Sequence, residues 1–149
     1  VPEGLIQMAM GTPAAVYHGG LLNASVRYFA PLGDCTCHGD GECACHGDAI
    51  GDVRSGLPEG VAALVERITP EGIVLTLVNT NPLEGRNVIV QAGAFGEHRF
   101  TTVALDGAPE KPVAIEDKVF QVNLGPWAQV RLHLGMARFV NSPTYALPM

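Results

Sequence analysis

Residues 34–48, DCTCHGDGECACHGD, hold all four cysteines of the chain and two of its five histidines. The stretch is a near-repeat, in which Cys, Cys, His, Gly and Asp recur at an offset of eight. Cys35 and Cys37 form one C-x-C pair, Cys43 and Cys45 another. In extended backbone alternate residues point to the same side, so each pair can aim both sulfurs at one point. Gly39 and Gly41 lie between the pairs and permit the tight turn that would bring them together. Four thiolates about 2.3 Å from a tetrahedral ion are then attainable, and zinc is the metal whose preferences fit best. His38 and His46 follow the two pairs at matching places, as substitute ligands or as donors to the thiolates.

Disulfides are the main rival. Bridges from Cys35 to Cys45 and from Cys37 to Cys43 would staple the same turn, each contributing about 2–4 kcal/mol. A bridge within one C-x-C pair would close a small strained ring. Covalent haem attachment needs C-x-x-C-H, and here one residue separates Cys35 from Cys37. The common iron–sulfur spacings differ as well. Asp34, Asp40, Glu42, Asp48 and Asp52 offer hard oxygens among glycines, but without the register of a calcium loop they read as a solvated acidic stretch. The compartment follows from the sulfur chemistry: extracellular or periplasmic if the cysteines are bridged, cytoplasmic if they bind metal.

Elsewhere the sequence recommends no catalytic residue and no cofactor-binding residue. His18, His98 and His133 are isolated and read as surface or satisfied core histidines. No serine sits in a nucleophile-elbow spelling, and no glycine-rich phosphate loop is present. Glu66, Glu84 and Asp106 fall at expected strand ends or turns, where carboxylates face solvent; a glycosidase pair would need a cleft. Trp127, Tyr17, Tyr28 and Tyr145 are the raw material of a sugar-stacking platform, yet with aromatics at 6 % they read first as core anchors.

Something must position these residues, and 149 residues at 47 % hydrophobic suffice for one domain with a real core. A chain starting at Val1 suits a processed form or a piece of a longer protein. Charged residues make up only 16 %, while 18 Gly and 11 Pro mark frequent turns, a profile of many short strands. The net charge of −6 with scattered Lys and Arg argues against nucleic acid as a partner. No apolar run approaches a membrane span.

Residues 21–30 (LLNASVRYFA) read as a strand ending at Pro31-Leu32-Gly33. Residues 34–60 read as one inserted loop rich in Cys, Gly and Asp. Residues 61–68 and 73–78 form a hairpin around Pro70-Glu71-Gly72. Further strands are expected at 87–91, 97–103, 112–115, 118–124 and 127–134. In the last of these Ala128, Val130, Leu132 and Leu134 alternate with Trp127, Gln129, Arg131 and His133, the pattern of one buried face. Residues 135–149 read as a C-terminal tail. Strands at this spacing without an intervening helix predict an all-β chain, an antiparallel β-sandwich with a long Cys/His-rich loop insertion, and a closed barrel is the structural competitor.

The stretch LTLVNTNPLEGRNVIVQAGAFGEHRF, followed by VNLGPWAQVRLHL, resembles the C-terminal β-sandwich accessory domains of glycoside hydrolases, over about residues 73–134. The likeness lies in a strand ending in Val78-Asn79, a turn with Pro82 and Glu84, a second strand, and a closing strand introduced by Leu124-Gly125-Pro126. It implies a module that packs against a catalytic neighbour and carries no catalytic residue itself, with the tail lying along a neighbouring domain or subunit. The function expected is therefore a non-catalytic structural or accessory module. Its partners would be other protein domains or copies of itself, and its Cys/His loop would hold zinc or disulfides. A carbohydrate-binding module and a small metal-dependent enzyme are the alternatives.

Overall fold

The computed structural model describes residues 26–32 and 53–148. Among these there is no helix, and nine strands build an antiparallel β-sandwich. In chain order they are β1 (Val26–Pro31), β2 (Val53–Ser55), β3 (Val61–Thr69), β4 (Gly72–Asn79), β5 (Arg86–Ala92), β6 (Arg99–Leu105), β7 (Val113–Asp117), β8 (Val119–Leu124) and β9 (Gln129–Ala137). One sheet has the order β2-β1-β5-β8, the other β3-β4-β9-β6-β7.

The core follows from the two-residue period of each strand. Leu132, Leu134 and Met136 of β9 point inward beside Ile73, Leu75 and Leu77 of β4. Val26, Val88, Val90, Ala92 and Leu124 face them from the four-stranded sheet. Phe100 is fully buried and meets Phe120 edge-to-face, with centroids 4.9 Å apart. The alternation expected for residues 128–134 is the one observed.

Four local departures matter. Val53–Ser55 lie within the stretch read as one loop, yet pair with β1 through Phe29–Ser55, Ala30–Arg54 and Pro31–Val53. Three residues are too few for a period to show. The strand β9 continues to Ala137, past the point where the tail was expected to start. The β3–β4 register slips between Val65 and Arg67, which makes Glu66 the extra residue of a β-bulge. A similar slip between Phe100 and Thr102 kinks β6.

The antiparallel pairings set two opposite ends. Val78 pairs with Gln129 and Gly72 with Gly135, while Arg86 pairs with Leu124 and Gln91 with Val119. The loops 80–85 and 125–128 therefore share one end of the sandwich. The 93–98 turn and the chain beyond β9 share the other.

Candidate functional site

On the outer face of the five-stranded sheet, Thr76, Arg131 and His133 lie on the central strands β4 and β9, whose opposite faces fill the core. The alternation of β3, whose Val61, Ala63 and Val65 pack on the core, turns Glu66 onto this face, and the end of β6 brings Asp106. Arg131 lies between the two carboxylates. Its Nε and Nη2 are each 2.8 Å from Glu66 Oε2, and its Nη1 is 2.6 Å from Asp106 Oδ1. The Thr76 hydroxyl donates to Glu66 Oε1. His133 Nε2 is 2.8 Å from Asp106 Oδ1, and because an ionised carboxylate only accepts, this nitrogen carries the proton. Beside the network runs an open depression of about 400 Å³, lined in part by Arg67, Glu71, Val74, Thr102, His133 and Gly135.

Both carboxyls are held below their ordinary range. For Glu66 the Thr76 hydroxyl is the largest cause, then Arg131; for Asp106 the His133 hydrogen bond leads, with Arg131 assisting. A general acid needs a carboxyl whose affinity for protons is raised. This arrangement does the reverse, and it suits a fixed charge pattern better than proton transfer. All four charged or titratable side chains are partly exposed, so solvent screens the network and its share of stability is small. Its pH dependence has a definite sign: carboxyls lowered in the folded state stabilise it above their ordinary range, and this contribution is lost as pH falls through the lowered values. In Arg131→Gln, carboxyl titration by NMR is expected to show Glu66 and Asp106 both moving up yet staying below the ordinary range, since Thr76 and His133 remain. A rise in only one of them would mean that the guanidinium is not shared.

The end that carries loops 80–85 and 125–128 is built around Asn79, which is fully buried. Its Nδ2 reaches Glu84 O at 2.8 Å, Gly125 O at 2.9 Å and Leu124 O at 3.4 Å, while its Oδ1 accepts from Asn81 N at 3.0 Å. Asn81 Oδ1 in turn accepts from the amides of Leu83 and Glu84. The Asn81 carbonyl accepts from Trp127 N at 3.0 Å. Ala128 N closes a turn onto Gly125 O, with Pro126 at its second position and Trp127 at its third, the place that favours glycine. Trp127 accordingly has φ of 54°. Its side chain is 67 % exposed, and Leu83 at the same end is 86 % exposed.

This corrects the reading of Trp127 as a core anchor. The turn decides its direction, because the backbone at the third position throws the side chain outward. Tyr145 is also exposed, but it lies at the opposite end, against Phe95. Tyr28 packs against the core, and burial pushes its phenol up to about 12. Among the described residues, then, the aromatics singled out in the sequence do not share a face on which a sugar ring could stack.

Cys35, Cys37, His38, Cys43, Cys45 and His46, together with His18 and Tyr17, lie outside the described residues. Among the described residues no group of three or more His, Cys, Asp or Glu side chains could hold a metal ion. No helix there is long and apolar enough to cross a membrane. Sequence reasoning brought Glu66 and Asp106 to notice but not their shared Arg131, and it placed Asn79 at a strand end without seeing its role. The signals for Asn79 were its place at the end of the strand that closes with Val78-Asn79 and in the turn spelling Asn79-Thr80-Asn81-Pro82. No family model, curated protein or solved structure matches the chain.

Proposed function

We propose that the chain is a non-catalytic β-sandwich module that packs against other protein, either a neighbouring domain or a second copy of itself. The observation that carries this reading is the end built on Asn79. An indole is held outward in a backbone conformation that costs about 1–3 kcal/mol, at the same end of the scaffold as the exposed Leu83. Trp residues presented this way are the usual centres of protein contacts, where burying the ring gives a large gain and its rigidity limits the entropy cost. The resemblance of residues 73–134 to glycoside hydrolase accessory domains supports the same reading, since those modules pack on a catalytic neighbour. A structural zinc held by Cys35, Cys37, Cys43 and Cys45, with His38 and His46 beside it, or a pair of disulfides, belongs to this reading on spacing alone.

Trp127 is the sole tryptophan of the chain, so its fluorescence reports on this end without labelling. In dilute solution the indole is expected to emit as a solvated ring and to be quenched freely by acrylamide. With rising concentration, sedimentation velocity and quenching are expected to change together, the ring becoming shielded as the chain associates, and Trp127→Ala should weaken the association. Association that leaves quenching unchanged would place the contact elsewhere, and an indole already shielded in the dilute chain would overturn the reading.

A further inference from the structure

Beyond β9 the chain turns back and lies along the 93–98 turn of its own sandwich, rather than extending away toward a neighbour. Phe139 N donates to His98 Nδ1 at 3.0 Å. Asn141 N donates to Glu97 O, and Asn141 Nδ2 reaches His98 O at 2.8 Å and Gly96 O at 3.2 Å. Thr144 N donates to Phe95 O at 2.8 Å, and the Tyr145 ring meets Phe95 edge-on at 5.2 Å. The His98 and Phe139 rings are perpendicular with centroids 4.6 Å apart. Phe139 holds φ of 53°, a conformation that a bulky residue adopts only where neighbours impose it.

The only side-chain acceptor in this set is His98 Nδ1. The imidazole is 3 % exposed, and because Nδ1 accepts an amide proton, its own proton sits on Nε2. We propose that residues 138–148 form an acid-released strap: neutral His98 latches it by accepting the Phe139 amide, and protonation of Nδ1 sets two donors face to face and frees the strap from the 93–98 turn.

Two charged groups act on the latch. Glu97, with Oε1 3.8 Å from Nε2, favours the imidazolium; Arg138, at the root of the strap, opposes it. Burial opposes it more strongly than either and holds the histidine below its ordinary value. The sign follows. A depressed histidine stabilises the latched state fully above about pH 6.5, where the released and unfolded forms are also neutral. That contribution is lost as pH falls through the lowered value.

Amide hydrogen exchange on the full chain, corrected for the intrinsic pH dependence, tests the strap. On acidification the amides of Phe139, Asn141 and Thr144 should lose protection by tenfold or more while Leu75 and Leu134 in the core keep theirs. The loss should share its midpoint with the imidazole titration of His98 followed by NMR. His98→Gln, whose carbonyl accepts but does not titrate, should remove the pH dependence. Strap amides that stay protected throughout, that open only together with the core, or that open at a midpoint unrelated to His98 would overturn the proposal. The last comparison uses the natural chain and stands even if the variant fails to fold.

Discussion

Replacing Asn79 with leucine is expected to lower stability by about 2–4 kcal/mol, because a bulkier side chain must enter a fully buried site and its backbone partners, one buried and the others partly so, lose hydrogen bonds worth about 0.5–1.5 kcal/mol each. The carbonyls of Glu84 and Gly125 lose their donor, and the amide of Asn81 loses its acceptor. Asn79→Asp separates this explanation from simple packing. The shape is nearly unchanged, but at neutral pH a carboxylate would point its charge at carbonyl oxygens, so the loss should match or exceed that of leucine. Acidification should then recover part of it, since a protonated carboxyl regains one donor. Urea unfolding of both variants at neutral and mildly acidic pH provides the measurement. The same variants should loosen Trp127, read as faster acrylamide quenching and lower fluorescence anisotropy. An aspartate variant as stable as the natural chain would show that Nδ2 is not the group that organises this end.

Gly72→Ala, at the opposite end, is expected to cost about 3 kcal/mol, the upper part of the range for overpacking. A Cβ there would collide with the carbonyl oxygen of Leu134 and lie 3.1 Å from the Cα of Gly135, all backbone atoms of the neighbouring strand. Neither strand can yield easily. Gly72 pairs with Gly135 in the register that also aligns Ile73 with Leu134, both in the core, and Met136 N is bonded to Glu71 O just beyond. Gly107→Ala is the control, because nothing lies within 4 Å of its added methyl; its effect should stay within about 0.5 kcal/mol. Equal urea midpoints for the two variants would mean that β4 and β9 can separate at this corner without loss.

What could be read from the sequence was what local pattern encodes. The alternation in residues 128–134 identified the inner face of β9, and the apolar run 73–78 identified β4. The Pro70-Glu71-Gly72 turn joined β3 to β4. Patterns failed where the deciding partner is distant or the deciding force is the backbone. Glu66 falls on the outer face by the alternation that turns Val61, Ala63 and Val65 inward, but its partner Arg131 lies 65 positions away on a strand that is not its neighbour, and local pattern leaves no mark of that. Trp127 has the composition of a core residue, but its direction comes from the turn around Pro126. His98 is a satisfied buried histidine, one of the two readings expected, yet its partner lies 41 positions away in a segment read as a tail along a neighbouring domain or subunit. The cysteine pairs are the strongest local spelling in the chain, and their ligands or bridges rest on that spelling alone.

The strand order also constrains how the molecule can be assembled in time. β9 is the last strand in the sequence among the described residues, yet it sits in the middle of its sheet, hydrogen-bonded to β4 on one side and β6 on the other. Hairpins β3–β4 and β6–β7 can form from local chain, whereas the β4–β9 pairing must close a loop of fifty residues, those between Val78 and Gln129. During vectorial synthesis β4 and β6 therefore wait with open edges until β9 has left the ribosome. Such unpaired edges are the species most exposed to misassembly, so kinetic partitioning during synthesis will bear most heavily on the interval before β9 docks.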